Sequence, residues 1–145
     1  MEPGIIVEYI EQQQILCAVA LEAQEHRVRL LNEKGEEVNQ KINRLSHTSK
    51  TRINVSRSRD RLIEFLRETA QRRRCIRDSI DIRELWEVLS PMNEWVDLET
   101  MTGLCFPGNC NGDHEAALIR ACFQNRIYFK FNHNSFFPYS PEEVE

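Results

Sequence analysis

No stretch of these 145 residues approaches the roughly 18 consecutive apolar residues that a membrane-spanning helix needs. The N-terminus "MEPGIIVEYIEQQQ" also lacks the basic end and unbroken apolar run of a signal peptide, because Glu2, Glu8 and Glu11 interrupt it. Both absences argue for a cytoplasmic protein with no membrane partner. Catalytic signatures are missing as well: there is no P-loop, no G-x-S-x-G elbow and no convincing Ser-His-Asp or Cys-His arrangement. The acidic residues are scattered. Asp81, Asp97 and Asp113 fall where helix caps are expected, and "PEEVE" at the C-terminus reads as an exposed tail, so no carboxylates are expected to converge on magnesium. The expectation is a chain with no catalytic residues, no metal ligands and no cofactor of its own.

What is present is the composition of a globular protein, 41% hydrophobic and 29% charged, at a length suited to one ordinary domain or two small ones. Five cysteines, an odd number without dense spacing, suggest reduced thiols. The net charge of -4 conceals three unlike segments. Residues 1–56 carry 7 Lys/Arg against 8 Asp/Glu, residues 57–78 carry 8 against 4, and residues 79–145 carry 4 against 11. These divisions coincide with changes in hydrophobic periodicity, and they suggest units at 1–55, 56–78 and 79–145.

The first unit reads as strands. "GIIVEYI", "QILCAVALEA", "HRVRLLNEKGEEVNQ" and "KINRLSH" are short, rich in Ile, Val and Leu, and separated by polar turns, with Gly35 placed for a hairpin. Five short strands in about 50 residues predict a small closed SH3-like β-barrel. Cys17, inside "ILCAVAL", reads as a buried small hydrophobe. The second unit reads as one connecting, arginine-rich helix. Ser56 or Ser58 is the expected N-cap, and Leu62, Phe65, Leu66, Thr69, Ala70 and Ile76 recur near helical spacing. Glu64 and Glu68 lie one turn from arginines, so part of its charge is expected to be self-paired.

The third unit opens with "DIRELWEVLS", a helix with a capping box of Asp81 and Glu84 that stops before Pro91. A short strand "EWV", a helix "DLETMTGLCF" capped by Asp97, a turn "PGNCNG", a helix "DHEAALIRACFQN" and a hairpin "RIYFKFNHNSFFPYS" turning at "NHNS" follow. Helix, strand, helix, turn, helix, hairpin is the order of a winged helix-turn-helix. The chain is therefore expected to be α+β.

The run "CFPGNCNGDHEAALIRAC" spaces Cys105, Cys110, His114 and Cys122 as C-x4-C-x3-H-x7-C. Structural zinc sites favour paired C-x2-4-C knuckles with converging ligands, whereas here Cys105 and Cys122 fall on apolar helix faces. A plain helix-turn-helix, with Gly112 as N-cap and Glu115 at N3, is the preferred reading. A winged helix suggests duplex DNA binding by its third helix, but this one offers only Arg120 and the flanking Arg126 inside an acidic segment. The wing adds Lys130, His133 and the aromatics Tyr128, Phe131, Phe136 and Phe137, which at alternating strand positions read first as core.

The strand region "GIIVEYI...ILCAVAL...RVRLLNEKGEEV...RLSH", the helix "SRDRLIEFLRETAQRR" and the block "DIRELWEVL...EWVDLETMTGLCFP...DHEAALIRACF...RIYFKF...FFPYSPEEVE" resemble the N-terminal region of certain bacterial and chloroplast members of the ribonuclease II family, the RNB-type exoribonucleases. The resemblance implies a parent hydrolase that shortens RNA from its 3′ end, with magnesium held by aspartates in a catalytic domain downstream in the same polypeptide. It implies that these front modules bind and orient single-stranded RNA. Because the helix segment alone has net positive charge and phosphate contacts dominate affinity, the expected RNA-binding residues are Arg57, Arg61, Arg72, Arg73, Arg74 and Arg77 of the helix, with Arg120, Arg126 and Lys130 of the last unit. A DNA-binding regulator and a protein-interaction module are the alternatives.

Overall fold

The computed structural model describes residues 1–108, 110–132 and 134–144, and the chain divides into two compact units, Met1–Arg72 and Arg73–Glu145. The fold is α+β. Strands β1 (Ile5–Glu11), β2 (Gln14–Ala23), β3 (Arg27–Asn32), β4 (Glu37–Lys41) and β5 (Leu45–Arg52) form one antiparallel sheet in the order β4-β3-β2-β1-β5. Helix α1 (Arg59–Asp78) follows, and the division between the units falls inside it. The stretch read as a separate linker thus supplies residues to both units.

Each face of the sheet buries its own apolar set, as the period-two alternation of strand side chains requires. On one face Ile6, Cys17, Val19 and Leu31 pack with Leu62, Leu66 and Ala70 of α1. The other face gathers Val7, Tyr9, Leu16, Ala18, Ala20, Val28 and Leu30, with half-buried Val38 of β4 and Leu45 of β5 joining them. Residues from both edge strands meet in that cluster, so the sheet curls upon itself, helped by irregularities in the β1–β5 and β2–β3 pairings.

The curl does not close into the barrel expected from the sequence. Among the described residues β4 and β5 are the two edges of an open sheet. β4 is only five residues long, and the chain leaves it through a 3-10 turn, Ile42–Arg44, to pair with β1 instead. Gly4 sits where β1 approaches the chain beyond β5: its φ is +94°, and a Cβ there would lie 2.2 Å from the Ile53 carbonyl oxygen. Buried Asn32 organises the β3–β4 hairpin, accepting from the Lys34 and Glu36 amides at 3.0 Å and donating to the Tyr9 hydroxyl at 3.0 Å. Ser58, one of the two expected caps of α1, accepts from the Arg61 amide at 3.4 Å.

In the second unit α2 (Ile82–Leu89), β6 (Val96–Asp97), α3 (Leu98–Cys105), α4 (Gly112–Gln124), β7 (Phe129–Asn132) and β8 (Ser135–Pro138) follow in that order, with β6-β8-β7 forming a three-stranded sheet. Asp81 caps α2 by accepting from the Glu84 amide at 3.1 Å, and Asp97 caps α3 through the Thr100 amide at 2.7 Å. The cap of α4 is Asn111 rather than Gly112: its carboxamide oxygen accepts from the amides of Asp113 and His114, a role that a glycine has no side chain to fill. The expected turn "PGNCNG" includes Asn109 and the turn "NHNS" includes His133; those two positions lie outside the described residues. The "PEEVE" tail contains one helical turn, α5 (Pro141–Val144), where the amides of Ser140 and Glu143 bond reciprocally to each other's side chains. Among the described residues no helix is long and apolar enough to cross a membrane.

Leu66 is fully buried beneath the first unit's sheet. Leu66→Ala is expected to lower unfolding stability by about 3 kcal/mol, measured by urea denaturation, whereas a loss below about 1 kcal/mol would contradict the packing described.

Candidate nucleic-acid interface

The expected cationic residues do not form one surface. Arg57, Arg61 and Arg72 belong to the first unit and are exposed. Arg61 and Arg72 lie three turns apart on one face of α1, but Glu64 and Glu68 stand between them on that face. Arg72 also donates to the Thr69 hydroxyl at 3.3 Å.

Arg73 is different in kind. Only 3% exposed, it places Nε 2.8 Å from Oδ1 of Asp113, the second residue of α4. A guanidinium so enclosed cannot follow a phosphate backbone without unfolding its surroundings, so Arg73 is structural, and Asp113 is its counter-ion as well as a residue of the first turn of α4. Arg120, on the buried side of α4, is 6% exposed and equally withdrawn. Arg74 and Arg77 are half-buried, and Arg77 is bound to the adjacent Asp78 at 3.0 Å. Exposed Arg126 lies 4.1 Å from the centroid of the Phe123 ring and donates to that residue's carbonyl. Lys130 is exposed on β7, with Nζ 6.0 Å from the Trp95 ring centroid.

The strongest basic feature lies elsewhere. Between Val38 and Ile63 there are seven Lys/Arg residues and a single acid, Asp60. In the structure this run covers the end of β4, the 3-10 turn, the edge strand β5 and the entry to α1. Arg52 is held by Glu2 at 2.6 Å and Arg59 by Glu37 at 2.6 Å. The latter contact leads the interactions that hold the Glu37 carboxyl below its usual range, with Arg29 next. Lys41, Arg44, Lys50, Arg57 and Arg61 are exposed and have no ion-pair partner among the described residues. A charge count over residues 1–56 averages this run against the acids before Val38; a shorter window along the chain exposes it.

Among the described residues no group of three or more His, Cys, Asp and Glu side chains is placed together as metal ligands would be. Cys110 donates to the Phe106 carbonyl at 3.2 Å, while the His114 ring lies beside Asn111 Oδ1 and against Phe106. Burial pushes the Cys105 thiol up to about 11, with nearby Cys110 adding to the effect, and burial raises Cys122 further still. Both shifts favour the neutral thiol, which is not the nucleophilic form. Comparison of the chain with protein-family models, with characterised proteins and with solved structures gives no match in any of the three.

Breaking a buried ion pair by removing one partner leaves the other charge uncompensated. Arg73→Ala is accordingly expected to destabilise the protein by about 3 kcal/mol, while Arg61→Ala changes the unfolding midpoint little. Equal small effects on thermal unfolding would show that Arg73 is not the structural arginine described.

Proposed function

We propose that this chain is an RNA-binding accessory region of a ribonuclease II-type 3′-5′ exoribonuclease, holding single-stranded RNA for a magnesium-dependent catalytic domain elsewhere in the same polypeptide. The observation that carries the reading is the basic ribbon of Lys41, Arg44, Lys50, Arg57 and Arg61, exposed and without ion-pair partners among the described residues. Phosphate contacts dominate nucleic-acid affinity, and these five cations are free to make them.

A plainer role for lysine on an edge strand is to prevent pairing with another chain's strand. That role accounts for Lys50 but not for Arg44, Arg57 and Arg61, which lie off the strand. In this reading the curled sheet, with its 3-10 turn before the last strand, is an SH3-like module without full closure, and α2 through β8 is a winged helix. The third helix of that winged helix is poorly equipped to read duplex DNA, since Arg120 is buried and the flanking Arg126 packs on Phe123. The second unit carries 7 Lys/Arg against 12 Asp/Glu. That balance makes protein docking the second reading for this unit alone.

For single strands the salt dependence of binding has a log–log slope of about -0.7 per neutralised phosphate. Replacing Lys41, Arg44, Lys50, Arg57 and Arg61 together by alanine is expected to weaken binding of a 12-nucleotide oligo(U) and to flatten that slope by about 3.5 if each contacts one phosphate. Fluorescence anisotropy across a salt series measures both. Unchanged affinity and slope in a folded variant would reduce the ribbon to an edge guard, and tighter binding of duplex DNA than of oligo(U) would favour the regulator.

A further inference from the structure

The three-stranded sheet of the second unit has two unlike faces. Phe136 pairs across β8 with Val96 of β6 and Phe131 of β7, and Phe129 stands two residues before Phe131. Phe129 and Phe136 are buried, so this is the core face. By the alternation of strand side chains, Phe137 and its cross-strand partner Lys130 stand on the opposite face, as does Trp95, the residue before Val96.

On that outer face the Trp95 and Phe137 ring centroids are 5.4 Å apart with their planes inclined at 58°. Trp95 is 47% exposed. The protein's other tryptophan shows how the fold treats an indole used for packing: Trp86 is 8% exposed, donates its ring N–H to the Tyr139 carbonyl at 2.8 Å and packs on Tyr128. Trp95 makes no hydrogen bond among the described residues and contributes half its surface to solvent, next to a cation.

We propose that Trp95, Phe137 and Lys130 form a stacking site for an unpaired nucleotide, the two rings receiving the base and the ammonium facing its phosphate. An exposed aromatic surface on a sheet, with a cation at its margin, has the composition that binds single strands without strong sequence preference. Glu143 feels the Lys130 charge, so part of the ammonium's pull on a phosphate is offset and stacking is the larger contribution. A proline-rich peptide also favours exposed aromatics, but it needs a groove with several parallel ridges, and here there is one inclined pair beside a charge. The inference rests on the RNA-binding reading above and names a site that the basic ribbon does not include.

The two tryptophans differ enough in exposure to make the test optical. Titration with 12-nucleotide oligo(A) RNA is expected to quench the fluorescence of the parent protein but not of Trp95→Phe. Trp95→Ala/Phe137→Ala is expected to weaken oligo(A) binding by about fivefold or more, as the loss of one stacked base implies, while binding an abasic oligomer of the same length as the parent does. Oligo(A) binding with no quenching and equal affinity in the double variant would overturn the stacking site and leave the RNA-binding reading standing. Quenching by a polyproline peptide but not by oligo(A) would overturn it in favour of a peptide site. A parent that binds no RNA at all would overturn both.

Discussion

The burial of one sheet face by α1 is the constraint on which the first unit depends. Leu62, Leu66 and Ala70 lie at helical spacing and cover Ile6, Cys17, Val19 and Leu31, so the sheet presents a sealed apolar layer on that side. Among the described residues of the first unit, the cluster on its other face includes none from α1. It is enclosed by the curl of the sheet, which brings Val38 and Leu45 from opposite edges toward Val7 and Leu30. Both faces contribute to packing, and the 3-10 turn, the edge strand β5 and the approach to α1 lie along the chain between Lys41 and Arg61. The uncompensated lysines and arginines lie there.

In the second unit the same accounting assigns four of the twelve carboxylates to structure. Asp81 and Asp97 satisfy helix amides, Asp113 neutralises buried Arg73, and Glu143 closes the last turn. Free backbone amides at helix starts and a buried guanidinium each require an acceptor, and these side chains supply it. The aromatic residues divide in a comparable way. Trp86, Phe129 and Phe136 form the packed side, and Trp95 with Phe137 is left on the outside.

Features that depend on a few neighbouring residues were legible in the sequence. The caps at Asp81 and Asp97, the start of α1 at Ser58 and the burial of Cys17 all follow from local patterns, and the structure has each of them. Features set by distant partners were not. β5 runs on to Arg52 through the polar residues Thr48–Arg52, because β1 supplies the hydrogen bonds that strand propensity alone does not predict. Closure would need β4 to pair with β5, a long-range matter, and among the described residues the two remain separate edges. The arginine run 72–74 looks uniform in sequence, yet helix geometry points Arg73 inward to Asp113, forty residues away. Of the nine cationic residues expected at the interface, Arg57 and Arg61 belong to the exposed ribbon and Lys130 to the aromatic face, while Arg73 and Arg120 are buried.

The central claim is that single-stranded RNA is held by the basic ribbon of the first unit. Backbone amide NMR of the 145-residue chain, titrated with a 12-nucleotide single-stranded RNA, addresses it residue by residue. The account predicts that the largest shift changes fall between Lys41 and Arg61, while the amides of Leu62, Leu66 and Ala70 move little. Changes confined to α4, or an unaltered spectrum at saturating RNA, would contradict it.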